Sequence, residues 1–277
     1  MLEKQRIIEQ FSDKIIEEEN SRFFAQGLYL KRFGEEKKIQ KRLESLRIVI
    51  IGAGALGSNL CVKFSAMGCK NIVCIDADKV EVSNLTRQIY YTDLQARKEC
   101  YKVDALAKFI FNFYPESNFL GIKEFVSSDN LGTIIEGEID LIVNTADSPQ
   151  GKIDQWVSHF AVEFNIPLIT SHYQNVGPLY IPKSHSACWF CLEKQLDKET
   201  EGVFSKVISL SNNAPNTRSA SFVTGELMNE KIIIDVFTSL FISEEIDNMI
   251  NKYYTFSSDN YIIKEHSINK NVNCTCN

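Results

Sequence analysis

The chain has no excess of positive charge. Its 277 residues carry 30 Lys and Arg against 36 Asp and Glu, a formal net charge of −6. Binding along a duplex needs a row of cations to neutralise phosphates, which argues against nucleic acid as the main partner. No apolar run approaches the ~18–20 residues of a membrane-spanning helix. The opening stretch, Met1 to Asn20, is charged throughout and has no apolar signal-peptide core. Internal repeats and low-complexity segments are missing too. What remains is an ordinary globular composition, 44% hydrophobic and 24% charged. The length suits one large α/β domain with appendages, or two small domains. Eight cysteines without an export signal read as reduced thiols or metal ligands rather than disulfides. The expected location is the cytoplasm.

What is present is organised around RIVIIGAGALGSNL, Arg47 to Leu60. Arg47 to Ile51 is a short β-branched apolar run of the kind that forms a buried parallel strand. Gly52, Gly54 and Gly57 follow as G-x-G-x-x-G. In such a turn the first glycine permits the tight bend. The second lets backbone approach a phosphate, and the third lets helix pack close to strand. The helix that opens here offers free N–H groups and a positive dipole end to an anion. The turn is therefore a nucleotide-binding candidate, though many Rossmann-like proteins share it.

Upstream, residues 2 to about 26 place Ile7, Ile8, Phe11, Ile15 and Ile16 on one helical face. Glu35 to Leu46 repeats the pattern with Ile39, Leu43 and Leu46. Residues 1–46 thus read as a helical N-terminal arm. Residues 47–277 read as one nucleotide-binding domain. Downstream, strands are expected at Asn71–Asp76, Asn118–Lys123, Asp140–Asn144 and Pro167–Thr170, with helices at Ala55–Met67, Leu94–Phe113 and Asp154–Phe164. This strand–helix alternation predicts a doubly wound, mostly parallel Rossmann-like α/β sheet. Residues 195–219, polar and rich in Ser, Asn and Thr, read as a long crossing loop. A helix at Ser221–Phe241 and a two-stranded tail complete the chain.

The second strand runs into IDADKVEVSNLTRQ, Ile75 to Gln88. Asp76 is placed to hydrogen-bond a ribose. Asp78, Asn84, Arg87 and Gln88 add more polar groups than a dehydrogenase needs here. A guanidinium at Arg87 can grip phosphate oxygens through two bonds, and Asn84 and Gln88 can hydrogen-bond a triphosphate. Asp147, in NTADSPQ, follows a central strand at the crevice where ligands bind. A carboxylate there suits a hard cation such as Mg²⁺. Cys188-Trp-Phe-Cys191 has the spacing that lets two thiolates share one zinc. A second pair, Cys274-Thr-Cys276, closes the chain, with one residue less between its sulfurs. Cys61, Cys69, Cys74 and Cys100 read as small hydrophobes.

The combination of GAGALGS, D-x-D and SNLTRQ resembles the ThiF/MoeB/HesA adenylyltransferases, relatives of ubiquitin-activating enzymes. The resemblance spans roughly residues 20–277. It implies an ATP- and Mg²⁺-dependent enzyme that adenylates a carboxyl terminus and releases pyrophosphate. By the same resemblance Asp76 holds the ribose, and Asn84, Arg87 and Gln88 contact phosphates. Asp147 holds Mg²⁺, and a lysine opening the next helix completes the set. Lys102 suits that role, with Lys98 the alternative. Relatives lend an arginine across a homodimer interface, and Arg22 or Arg32 is the candidate, Arg22 preferred. The resemblance also implies a structural zinc on Cys188, Cys191, Cys274 and Cys276. No cysteine lies between Leu192 and Asn273, so a thioester or persulfide step on the crossing loop is not expected. NVGPLYIPKSHSACWFC, ENSRFFAQG, TADSPQ and NNAP are most similar to the microcin-C-type branch. That branch implies a short ribosomal peptide as substrate, and the alternative is a Gly-Gly-ending sulfur-carrier or ubiquitin-like protein. Only about 46 residues precede the first strand, fewer than that branch's peptide clamp, so a separate substrate-delivering protein is a possible partner. Two competing readings are an NAD-dependent oxidoreductase, which leaves SNLTRQ and the cysteine pairs unexplained, and a non-catalytic scaffold subunit.

Overall fold

The structure is a computed structural model that describes residues 21–172, 174–211, 226–256 and 262–276. Its frame is an eight-stranded sheet in the order β3-β2-β1-β4-β5-β6-β7-β8. The strands are β1 (Arg47–Ile51), β2 (Asn71–Ile75), β3 (Leu120–Ile122), β4 (Leu141–Asn144), β5 (Leu168–His172), β6 (Asn175–Tyr180), β7 (Lys252–Phe256) and β8 (Ile263–Ser267). The first five in chain order run parallel, and β6, β7 and β8 are added antiparallel. From β1 the chain moves outward to β2 and β3, then returns to the other side of β1 at β4. That reversal opens a crevice at the carboxyl ends of β1 and β4, where α/β sheets bind ligands.

β1 shows why this stretch is a central strand. Ile48 and Ile50 belong to the core on one face of the sheet, and Val49 and Ile51 to the core on the other. With both faces covered, all four can be apolar, which gives a continuous run in place of alternation. The first face is covered by α3 (Ala55–Ala66), α5 (Lys102–Phe113) and α10 (Leu227–Thr238), through Leu60, Phe64, Leu106, Ile110, Ile233 and Phe237. The second is covered by α6 (Leu131–Ile134), α7 (Lys152–Glu163) and α8 (Trp189–Glu199), through Leu131, Val157, Trp189 and Leu192. The expected strands and the doubly wound order are present. Among the described residues, two short helices, α1 (Phe24–Leu30) and α2 (Glu36–Ser45), precede β1. The amphipathic pattern of residues 2–20 lies outside the described residues.

Two expectations are corrected. The helix expected over Leu94–Phe113 is two helices, α4 (Asp93–Arg97) and α5. Between them Glu99 turns to φ 50°. Beyond its local turn bonds, the intervening backbone pairs with the loop after β2: Val80 N–H donates to Cys100 C=O at 2.8 Å and Lys102 N–H to Asp78 C=O at 2.9 Å. Helical periodicity on both sides of the break hid it. The second correction concerns 195–219. Residues up to Glu199 continue α8, and α9 (Val203–Ser211) follows. Leu196 and Phe204 pack on the second core, and Ile208 is buried. One sparse apolar stripe is enough for a helix that buries a single side. Residues 212–219 lie outside the described residues, as does the 221–225 part of the last expected helix. The described part of that helix continues into a π-helical turn at Ser239–Ser243.

Candidate active site

The glycine turn sits where β1 ends and α3 begins, and its three glycines do different jobs. Gly52 has φ +96°, and a Cβ there would lie 2.9 Å from Thr145 Oγ1. A Cβ on Gly57 would lie 1.9 Å from Gly52 O. Both glycines are therefore demanded by the fold, since β1, α3 and the end of β4 meet too closely for a methyl group. Gly54 is different. Its φ of −70° suits any residue, and a Cβ there would meet nothing within 4 Å. Among the described residues no steric contact requires a glycine at 54, so the space beyond it is open, a cradle that a ligand could enter.

The predicted polar residues come from three segments: the chain after β2, the start of α5 and the chain just past β4. Asp76, just past β2, accepts from Ala53 N–H at 2.6 Å through Oδ2 and from Asp78 N–H at 2.7 Å through Oδ1. Burial raises its carboxyl above the ordinary value, opposed by the Lys102 charge and by those two N–H bonds. Lys102 opens α5 with only 9% of its side chain exposed, and its Nζ is 2.7 Å from Asp78 Oδ2. The break before α5 places it there. Lys98 is exposed at the end of α4. Asn84 closes a one-turn 3-10 helix, Val82–Asn84, and its Oδ1 accepts from Glu81 N–H at 3.3 Å. Arg87 is half-buried and donates from Nη1 to Ser83 C=O at 3.1 Å. Gln88 is buried, and its Oε1 has no hydrogen-bond partner among the described residues. Asp147 is exposed just beyond β4, so its oxygens are open to a hard cation.

The arginine candidates lie elsewhere on this chain. Arg22 donates from Nη1 to Phe113 C=O at 2.8 Å, and its guanidinium sits 4.5 Å from the ring centroids of both Phe113 and Tyr114. Phe113 ends the helix that Lys102 begins, and twelve residues of helix span about 18 Å. Arg32 sits 5.5 Å from the Tyr29 ring centroid on α1. That helix is tied by Gln26 Nε2 to Met67 C=O at the far end of α3. Neither arginine reaches its own chain's glycine turn.

Sequence reasoning missed the groups that hold the turn from beneath. Tyr91 is buried, and its hydroxyl donates to Ala53 C=O at 2.7 Å. Thr145 Oγ1 lies 2.9 Å from Ile51 C=O and 3.2 Å from Gly52 C=O. Tyr91 directly follows the SNLTRQ region, but no spacing rule marks it. Asn144, which ends β4, donates from Nδ2 to the buried Asp154 Oδ1 at 2.9 Å and anchors α7 beside the crevice.

Far along the sequence, the four predicted cysteines do meet. The sulfurs of Cys188, Cys191, Cys274 and Cys276 all lie within 4.8 Å of one another. Neighbouring separations are 3.5 Å for Cys188–Cys274, 3.7 Å for Cys191–Cys276 and 4.0 Å for Cys188–Cys191. A tetrahedral zinc with Zn–S near 2.3 Å spaces its sulfurs by roughly 3.8 Å, so the donor set fits that ion. The shorter C-x-C pair still brings both sulfurs in. Asn271 N–H points at Cys191 Sγ at 3.4 Å, a bond that favours thiolate. Cys61, Cys69 and Cys74 are buried in the core as expected.

The ThiF family model matches residues 24–276. The sulfur carrier protein ThiS adenylyltransferase of Bacillus subtilis is 32% identical over 130 residues, 47% of this chain and 38% of that protein. The adenylyltransferase and sulfurtransferase MOCS3 of Arabidopsis thaliana is 27% identical over 229 residues, 76% of this chain and 46% of that protein. The matches thus span less than half the length of these relatives. Among solved structures, E. coli MccB with ATP superposes with a TM-score of 0.76 at 21% identity, covering 93% of this chain and 74% of that one. PaaA superposes with a TM-score of 0.73 at 19% identity, covering 93% and 86%. These structures share the fold; the sequence match over nearly the whole chain places this protein in the ThiF family.

Proposed function

We propose that this chain is an ATP- and Mg²⁺-dependent adenylyltransferase that activates the C-terminal carboxylate of a ribosomal peptide. The observation that carries the reading is the open space at Gly54, next to Ala53, whose N–H is held by Asp76, with Lys102 paired to Asp78 two residues further on. A carboxylate oxygen of the substrate attacks the α-phosphorus of ATP. The bond to the bridging oxygen breaks, and pyrophosphate leaves with that electron pair. No general base is required, because the nucleophile is already an anion. The protein's task is positioning and charge stabilisation. Asp76 takes the ribose hydroxyls. Lys102 is held by Asp78 at the cradle, and it and Arg87 face the phosphates with Asn84 and Gln88. Asp147 would hold Mg²⁺, which when bound neutralises phosphate charge. Cys188, Cys191, Cys274 and Cys276 would hold a structural zinc, joining the segment after β6 to the chain's tail. Arg22 cannot reach its own chain's turn, so its catalytic role requires a homodimer in which it serves the partner.

The peptide substrate is supported by the fold shared with MccB, whose structures include complexes with MccA. A second reading, a Gly-Gly-ending carrier protein, is favoured by sequence relatives such as the ThiS adenylyltransferase. ATP–pyrophosphate exchange separates them. Peptide-dependent exchange is the expected result. Exchange with carriers alone overturns the peptide assignment. Tight ATP binding without exchange in either panel points to a missing substrate-delivering protein.

A further inference from the structure

The peptide bond between Ala53 and Gly54 is the part of the turn that faces the cradle. In a trans peptide the C=O and the following N–H point in opposite directions from one rigid plane. Ala53 C=O is taken from below by the Tyr91 hydroxyl at 2.7 Å. Gly54 N–H therefore points the other way, and it has no acceptor among the described residues. The preceding peptide is locked as well. Its N–H, on Ala53, donates to Asp76 Oδ2 at 2.6 Å, and its C=O, on Gly52, lies 3.2 Å from Thr145 Oγ1. Two successive planes are thus fixed by three side chains from three different segments.

We infer that Tyr91 is a positioning residue for nucleotide binding: by holding Ala53 C=O it turns Gly54 N–H outward as a preformed donor to a phosphate oxygen. This deepens the nucleotide reading of the turn and rests on it. Without the phenol, the 53–54 plane loses the bond that sets its tilt, and a glycine on one side lets it rotate at little cost. A donor that must first be oriented is weaker than one already aimed. Burial, with Cys74, Asp76 and Cys61 nearby, pushes the phenol well above its ordinary range, so it stays a protonated donor. The nearby Ser58 side chain opposes that rise without overcoming it. Tyr91 touches no reacting atom.

The test compares wild type and Tyr91→Phe, which keeps the buried ring. Calorimetry measures ATP affinity, and selective ¹⁵N-glycine labelling follows the Gly54 amide. Wild type should bind ATP and shift the Gly54 proton downfield. Tyr91→Phe should weaken ATP about tenfold, the scale of one hydrogen bond to a charged group, and move that proton less than half as far. Equal ATP affinity in the two proteins overturns the inference. So does a wild-type Gly54 proton that ATP leaves unmoved, a result that stands even if the variant does not fold. A wild type that binds no ATP is a separate outcome and removes the nucleotide reading itself.

Discussion

Lys102 Nζ sits 2.7 Å from Asp78 Oδ2, with the lysine almost wholly buried and the aspartate more than half exposed. The pair joins the start of α5 to the loop after β2. A buried ammonium requires a partner, and Asp78 supplies one while leaving the cation at the rim of the cradle. In the proposed reaction, arriving phosphates would compete with Asp78 for a charge already in place. Lys102→Met should therefore lower ATP–pyrophosphate exchange by at least about 100-fold. Lys98→Met, at an exposed site, should stay within about twofold. The reverse ranking would move the phosphate contact to Lys98.

The glycines give a cleaner separation of fold from binding. Gly57→Ala would press a methyl into Gly52 O, and should cost about 3 kcal/mol or more in urea unfolding. Gly54→Ala adds a methyl that touches nothing in the protein, at a φ that alanine accepts. It should melt within about 3 °C of wild type yet bind ATP at least about tenfold more weakly, because the methyl occupies the phosphate approach. Wild-type ATP affinity in Gly54→Ala would show that the cradle is not where phosphate binds.

Much of this was legible in the sequence because the central strands are short, apolar and separated by helical patterns. Ile48 to Ile51 and Leu141 to Asn144 lie buried on both faces, and a buried parallel strand has little choice of pattern. The Cys188/Cys191 pair was legible because its spacing limits what two thiolates can do, and the family resemblance joined Cys274 and Cys276 to it. The break at Glu99 was not. Val103, Leu106 and Ile110 form a helical stripe after it, the residues before it favour helix as well, and the bonds that decide the matter run to Val80 and Asp78, remote in sequence. Tyr91 was invisible for a related reason. A buried tyrosine announces a hydrophobic ring, whereas its function here lies in one oxygen and the carbonyl it meets.

Zinc makes a prediction that does not depend on activity. Purified protein should carry about one zinc per chain, as a closed four-thiolate site requires. Cys276→Ser should lose most of it and melt at lower temperature, because Cys276 and Cys188 are buried in the second core. Cys61→Ser should keep the metal, since Cys61 belongs to the first core. Full zinc content in Cys276→Ser, by elemental analysis, would show that the C-x-C pair does not contribute its second sulfur.

Asp76 links the site to pH. Burial raises its carboxyl above the ordinary value of 3.8. The sign follows from proton linkage. Below the unfolded value both states hold the proton and the group makes no demand on the fold. As pH rises through the raised folded value, the native state must ionise a carboxylate that the unfolded chain ionises more readily, and stability falls. Ionised Asp76 is thus a strain on the native state at neutral pH, retained at the ribose position of the proposed nucleotide site. Asp76→Asn removes the charge and keeps an oxygen able to accept from Ala53 N–H. It should melt higher than wild type at pH 7.5, with the gain shrinking toward pH 4, while its ATP affinity falls at least about tenfold. A melting-temperature gain that is the same at both pH values would detach it from ionisation. A loss of stability at pH 7.5 would mean that the two N–H bonds to the carboxylate outweigh its burial.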